Sequence, residues 1–206
     1  DEPFSGLDPL IRRQMRIELA ALQEEIHKTI VFITHDLDEA VTVGDRIAIM
    51  RDGEIIQLGG PQDIIMNPTD DFVREFTQDI PKTKVINIAS IISEPEVVFA
   101  VWQRIEDLPA QMDSAGAECA ICVDLDRKYI GVIPRQKVEL SPGQPARDLR
   151  DILHNGVVAV HLDTLLEEAL LTLVDPDIPI PVVDESNCFL GVATQRDILK
   201  VVAANL

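Results

Sequence analysis

Residues 1 to 9 read Asp1-Glu2-Pro3-Phe4-Ser5-Gly6-Leu7-Asp8-Pro9, and this stretch decides how the rest of the chain is read. Two carboxylates stand side by side. A Pro and a Ser-Gly step supply turn chemistry, and an Asp-Pro pair closes the stretch. Asp8 suits a helix N-cap and Pro9 the first helical position. Beyond them Ile11, Met15, Leu19, Leu22 and Ile26 recur at helical spacing, which predicts an amphipathic helix from 9 to about 28. The run from Thr29 to Thr34, with Ile-Val-Phe-Ile in its middle, predicts a buried parallel strand. His35 comes next, and Asp36 opens another helical stretch to about Val43. This alternation of helix and apolar strand is the pattern of an α/β chain.

Further on, Ile47 to Met50 and Glu54 to Leu58 flank Arg51-Asp52-Gly53, and the Asp-Gly step predicts a β-hairpin. A short helix is expected from Pro61 to about Met66. Asn67-Pro68 breaks it, and a further helix covers 70 to 78. Pro81-Lys82-Thr83-Lys84 reads as a linker. After it the sequence repeats itself with a shift of 60 and no gaps. Val123-Asp124 falls on Val183-Asp184, and Ile130-Gly131-Val132 falls on Leu190-Gly191-Val192. Helical patterns precede these strands at 106 to 116 and 165 to 175. Helices come after them near 135 to 139 and from Gln195 to Ala203. Each repeat thus reads helix, strand, acidic turn, strand, helix. One repeat of this size has a small core, so two are expected to pack together.

The 206 residues carry a formal net charge of −18, with 46% hydrophobic but only 4% aromatic residues. The core is therefore aliphatic. Such acidity repels nucleic acid and anionic lipid. Arg12, Arg13 and Arg16, or Lys82 and Lys84, are the only short basic groups. No apolar run reaches the ~20 residues needed to span a bilayer. The chain opens without Met and without a signal-peptide pattern, which is expected of a fragment. Three cysteines argue against a disulfide framework and for a reducing compartment. Cys119 and Cys122 form a C-x-x-C, but inside an apolar strand, where residues three apart face opposite ways. Both are therefore expected to be structural.

A bare acidic pair is ordinarily solvated surface, and a lone His at a strand end ordinarily a structural hydrogen-bonder. Here their surroundings change the reading. Asp1-Glu2 with Pro-Phe and Ser5-Gly6-Leu7-Asp8 after it, then Ile33-Thr34-His35-Asp36 with Asp38-Glu39-Ala40, resemble the Walker B motif, D-loop and switch histidine of ATP-binding-cassette (ABC) ATPases. The hairpin, Gly59-Gly60-Pro61 and Asn67-Pro68 extend the resemblance to about residue 80. It implies that Asp1 binds Mg²⁺, that Glu2 is the catalytic base, and that His35 contacts the γ-phosphate of ATP. Ser5 and Asp8 would belong to the loop that meets a second ATPase subunit across the nucleotide. No G-x-x-x-x-G-K-[ST] pattern, Q-loop or LSGGQ-type signature occurs in the chain. A C-terminal portion from Walker B onward, without ATP hydrolysis of its own, is the expectation.

The repeat resembles a tandem pair of CBS domains (a Bateman module). The closest marker is Phe189-Leu190-Gly191-Val192-Ala193-Thr194-Gln195-Arg196-Asp197-Ile198-Leu199. In nucleotide-binding members the Asp takes ribose hydroxyls and the hydroxyl residue lies near phosphate, which would be Asp197 and Thr194. Equally, Thr194 and Asp197 form a T-x-x-D helix cap and need no ligand. In the first repeat Pro134 and Lys137 stand at these positions, so a matching site there is not expected. The domains read as 1–80 (ABC ATPase part), 81–140 (first CBS domain) and 141–206 (second).

An ABC ATPase with two CBS domains resembles the ATP-binding subunits of glycine betaine, proline betaine, choline or carnitine importers. That resemblance implies ATP and Mg²⁺ as cofactors, a membrane permease and a second ATPase subunit as partners, and a place at the cytoplasmic face of the membrane. It also implies regulation by the CBS pair, through AMP, ATP or cyclic di-AMP, and dimerisation through it. Two other readings stay open: a stand-alone CBS module that binds an adenine nucleotide, and a purely structural dimerisation piece.

Overall fold

The computed structural model describes residues 1–138, 149–154 and 156–203. They fall into two units, Asp1–Val85 and Ile86–Leu206. The boundary read at 140/141 lies outside the described residues.

In the first unit, helix α1 spans Pro9–Ile26, with Asp8 accepting from the Leu10 N–H and Pro9 at the start. Helix α2 (Leu37–Val43) is capped by Asp36, and Asp38 and Glu39 occupy its first turn, where negative charge suits the helix dipole. Strands β1 (Ile47–Arg51) and β2 (Glu54–Gly59) pair antiparallel. Asp52 and Gly53 between them both have positive φ, as a two-residue primed turn requires. Helices α3 (Pro61–Met66) and α4 (Asp71–Thr77) complete the unit. Its core gathers Leu37, Ile47, Ile49, Ile64 and Val73.

The strand expected over Thr29 to Thr34 does not form. Ile30, Val31 and Ile33 are 45%, 84% and 55% exposed. A strand exists only through the neighbours that pair with its backbone, and no described strand lies alongside this segment. Its apolar side chains are right for a buried strand, but the ladder is missing. The Ile33 carbonyl instead accepts from the Glu2 N–H at 2.7 Å. The apolar stripe of α1 is likewise uncovered at Ile11, Leu22 and Ile26.

The second unit contains the repeat. Its first half has β3 (Val98–Ala100), α5 (Leu108–Ala115), β4 (Cys119–Val123), β5 (Tyr129–Pro134) and the short α6 (Arg135–Val138). After α7 (Leu149–Ile152) the second half has β6 (Val160–His161), α8 (Leu166–Leu170), β7 (Ile180–Val183), β8 (Phe189–Ala193) and α9 (Gln195–Ala203). Each half forms a three-stranded sheet, ordered β3-β4-β5 and β6-β7-β8. In both, the first pair is parallel and the second antiparallel. The register breaks between Cys122 and Val123 and between Val182 and Val183, which are 60 residues apart. The short parallel strands β3 and β6 are additions to the pattern read from the sequence.

The acidic turns match as well. Asp124 Oδ1 accepts from the N–H groups of Asp126 and Lys128, and Asp184 Oδ1 from those of Ser186 and Cys188. The two turns meet head to head. Tyr129 N–H donates to the Asn187 carbonyl at 3.0 Å and Phe189 N–H to the Arg127 carbonyl at 2.9 Å.

Strand β4 shows how one strand serves two cores. Ala120 and Cys122 face the first repeat's own core with Phe99, Leu108, Met112 and Ile133. Ile121 and Val123 face the other way, with Val132, Ile178, Phe189 and Val192 between the two sheets. Cys119 packs on that second face, so the two cysteines do point in opposite directions. The segment entering the repeat pairs with the second half rather than the first: Ile88 N–H donates to the Thr164 carbonyl, and Ser93 and Val192 exchange two backbone bonds. Among the described residues, no helix is long and apolar enough to cross a membrane.

Candidate functional site

The turn that carries Asp1, Glu2 and Ser5 is built from its own backbone. Ser5 N–H and Oγ–H both donate to the Glu2 carbonyl, and Leu7 N–H donates to that of Phe4. Phe4 is buried and meets Phe32 with ring centroids 5.5 Å apart. That contact and the Glu2–Ile33 backbone bond tie the turn to the segment ending at His35. Glu2 has a φ of 43°, in the left-handed region that few non-glycine residues adopt. The result is that His35 Nδ1 lies 2.8 Å from Glu2 Oε1 across 33 residues of sequence. An ionised carboxylate only accepts, so a hydrogen bond here places the imidazole proton on Nδ1 and leaves Nε2 as the ring nitrogen not engaged with Glu2.

Three residues not singled out for the site support this pair. Thr34 Oγ1 accepts from the Asp36 N–H at 3.0 Å and donates to Glu39 Oε2 at 2.7 Å. Glu39 is buried, with Arg12 Nε 3.8 Å from its other oxygen. Arg12 also reaches the Leu7 carbonyl at 3.4 Å and lies 4.0 Å from Asp36. One guanidinium thus links the turn after Glu2 to the helix after His35. Arg12 and Arg16 lie four apart on α1, opposite the acids of α2, and that complementarity was the available signal.

Pairing with the acids of α2 engages Arg12, Arg16 and Lys84 of the basic groups open to a lipid surface, while Arg13 stays exposed. Arg16 and Lys84 both bind Asp38. Burial works to raise the Asp38 pKa, but the hydrogen bonds and charges of Lys84 and Arg16 outweigh it and hold the carboxyl below its ordinary value.

Asp8 is committed to capping α1, and Asp1 is exposed beside Glu2. Among the described residues no three His, Cys, Asp or Glu side chains converge as a metal cage. Mg²⁺ in phosphoryl-transfer sites is held by one or two carboxylates with phosphate and water completing its shell, so a single exposed Asp1 fits that role. A cavity of about 10 Å³, edged by Glu2, Ser5, Arg12, Thr34 and His35, has room for no more than one water.

At the far end of the chain, Thr194 Oγ1 donates to Asp197 Oδ2 at 2.5 Å and accepts from the Asp197 N–H at 3.2 Å. Lys200 Nζ donates to the other oxygen at 2.7 Å. The Lys200 bond first, then that of Thr194, holds the Asp197 carboxyl below its ordinary value. Ionised, each carboxylate oxygen keeps a lone pair for another donor, so the capping geometry and a ribose contact are compatible. Lys137, the counterpart of Asp197, donates to the Leu153 carbonyl. Burial pushes the Cys119 and Cys122 thiols up to about 11, with Glu96 and Glu118 adding to the effect at Cys119.

A turn bearing paired acids against a histidine, joined in sequence to two matching αβ repeats, is the order of features that the ABC and CBS resemblances imply. The CBS domain family matches residues 149–204. The chain is 38% identical over 209 residues to the glycine betaine transport ATP-binding protein OpuAA of Bacillus subtilis, covering 100% of this chain and 49% of that one. Relatives 32% to 55% identical are ATP-binding proteins of transport systems for carnitine, choline and trimethylamine N-oxide. Over its whole length the chain is similar to the C-terminal part of these ABC transporter ATP-binding subunits. It spans about half the length of the curated relatives it matches.

Solved structures support the fold. A CBS domain pair/ACT domain protein from Thermotoga maritima matches at a TM-score of 0.50 and 17% identity, over 59% of this chain and 99% of that one. CbpB, in complex with c-di-AMP, matches at 0.50 and 18%, over 59% and 87%.

Proposed function

We propose that this chain is the C-terminal half of the ATP-binding subunit of an osmoprotectant importer, working as a dimer on the cytoplasmic side of a membrane permease. The observation that carries the reading is the 2.8 Å pair of Glu2 and His35, formed by the residues that the ABC resemblance selects. ATP and Mg²⁺, when bound, supply the phosphoanhydride to be cleaved and the positive charge that neutralises it. Asp1 would hold the Mg²⁺. Glu2 orients water and takes its proton on Oε2, the oxygen that His35 does not hold. His35, its ring held by Glu2, would offer Nε2 to the terminal phosphate. Ser5 and Asp8 position the loop that meets the second subunit. The domain division is 1–80, 81–140 and 141–206.

The CBS pair is a regulatory unit. Asp197 and Thr194 accept an adenine nucleotide, a reading supported by c-di-AMP in the structurally similar CbpB. Similarity that runs through both units of the chain disfavours a stand-alone CBS module or a bare dimerisation piece.

In the intact subunit, Glu2→Gln is expected to lower ATP turnover by about 10²–10⁴-fold, the range for loss of general-base help. Nucleotide affinity should hold within a few fold. Unchanged turnover would remove Glu2 from the mechanism. Titration calorimetry of the 206-residue chain with cyclic di-AMP, AMP and ATP tests the CBS site. Binding of one of them, lost in Asp197→Ala, is the expected result; no heat from any would refute the nucleotide reading.

A further inference from the structure

A cavity larger than the one edged by Glu2 starts at His35. It is a groove of about 720 Å³ between the start of α2 and the face of α4. Its floor is apolar: Leu37, Phe72, Phe76 and Ile80. Phe72, Phe76 and Ile80 are spaced four apart, so they form one row along α4 and its continuation. The two phenyl rings stack with centroids 6.1 Å apart and planes 11° apart, and Phe76 is 44% exposed. A second row runs beside it, with Glu75 and Asp79 also four apart. Asp36 and Asp38 stand on the opposite wall.

The charges on the two sides differ in availability. Asp36 caps α2, and Asp38 is taken by Arg16 and Lys84. Glu75 and Asp79 are exposed and, among the described residues, form no ion pair. An apolar trough with free carboxylates along one rim fits a particular occupant: an apolar side chain with cations beside it.

We propose that this groove docks a basic amphipathic peptide segment of a partner protein, its apolar face on Phe72, Phe76 and Leu37 and its Lys or Arg side chains on Glu75 and Asp79. A helix-in-groove contact of this kind reads anchors at i, i+3 and i+4. Anionic lipid is repelled by the Glu75 and Asp79 rim. The groove shares His35 with the site proposed for ATP, but the docking contact rests on Phe72, Phe76, Glu75 and Asp79 and needs no nucleotide.

The test uses the 206-residue chain and a fluorescent synthetic peptide of about 14 residues, Leu on one helical face and Lys on the other. Anisotropy is read at about 150 mM salt, where charges beyond about 8 Å are screened. The amphipathic peptide should bind the native chain. Glu75→Lys with Asp79→Lys should weaken it about tenfold or more, and Phe76→Ser about tenfold. Asp126→Lys with Glu185→Lys makes the same charge change in the other unit and should leave affinity within about twofold, separating the groove from general attraction to an acidic protein. Circular dichroism confirms that each variant folds, and the exposed double charge reversal keeps the test decisive if Phe76→Ser does not. A scrambled peptide that binds equally well, or equal loss in the remote double variant, overturns the proposal. So does concentration-dependent dimerisation abolished by Phe76→Ser, which would assign the groove to a second copy.

Discussion

Two glycines 60 residues apart should respond differently to the same methyl group. A Cβ at Gly191 would lie 2.8 Å from the Ser93 carbonyl oxygen and 3.6 Å from Ile92 Cβ. At Gly131 it would lie 2.9 Å from Leu153 Cδ2. The distances nearly match, but the obstacles do not. Leu153 meets the intruder with the end of a flexible side chain, and leaving its rotamer costs about 0.5–1.5 kcal/mol. Ser93 meets it with backbone, held by bonds of 2.8 and 2.9 Å to Val192. Ordinary contact begins at 3.4 Å, so the segment must retreat by roughly 0.6 Å, which brings both bonds close to breaking. Two backbone bonds at about 0.5–1.5 kcal/mol each, plus overpacking of about 1–3 kcal/mol, give a cost of about 2–6 kcal/mol. Replacing Gly returns about 0.4–1 kcal/mol through the unfolded chain at both sites. Gly191→Ala should therefore destabilise by about 1–5 kcal/mol and Gly131→Ala by less than about 1 kcal/mol. Urea unfolding monitored by circular dichroism measures the difference. Hydrogen exchange at the Ser93 and Val192 amides localises it, with protection falling about 10–100-fold in Gly191→Ala only. Equal costs at the two sites, or unchanged protection at Ser93, would refute the close-approach argument.

Other outcomes concern the ionisable groups. With thiols at about 11 against an ordinary 9.0, Cys119 and Cys122 should react with iodoacetamide at pH 8 about 100 times more slowly in the folded chain than in urea. Equal rates would mean that the strand does not bury them. Because the folded Asp38 pKa is depressed, its stabilisation is present above the ordinary value of 3.8 and lost as pH falls through the folded value. Asp38→Asn should thus cost about 1 kcal/mol at pH 7, and the gap from the native chain should close below about pH 4 in thermal melts. A gap independent of pH would remove Lys84 and Arg16 as its cause.

What was legible in the sequence depended on whether the deciding information was local. The Asp52-Gly53 turn, the Asp8 and Asp36 caps and the acidic turns at Asp124 and Asp184 are set by residues within a few positions, and each forms as read. The repeat was legible because its strands alternate between two cores, which puts Cys119 and Cys122 on opposite faces. Strands β3 and β6, of three and two residues, are too short to carry a period. The Thr29 to Thr34 run misled because a strand is a property of its neighbours as well as of its side chains. At the candidate site the resemblance selected Glu2 and His35, and the structure brings them together. The network beneath them stayed hidden: Arg12 read as a surface base, while Thr34 and Glu39 read only as neighbours of the histidine. Their roles depend on contacts between α1 and α2, far apart in the chain, which no local pattern encodes.

The central claim is that Glu2 and His35 act as one catalytic unit. A double-mutant cycle on ATP turnover of the intact subunit, with Glu2→Gln, His35→Ala and both together, tests it most directly. Groups that act as a unit are strongly non-additive. Each single change should lower turnover by at least about 100-fold, and the double variant should be little worse than the weaker single one. Losses that multiply would show the two residues acting independently, and retained turnover in either single variant would contradict the account.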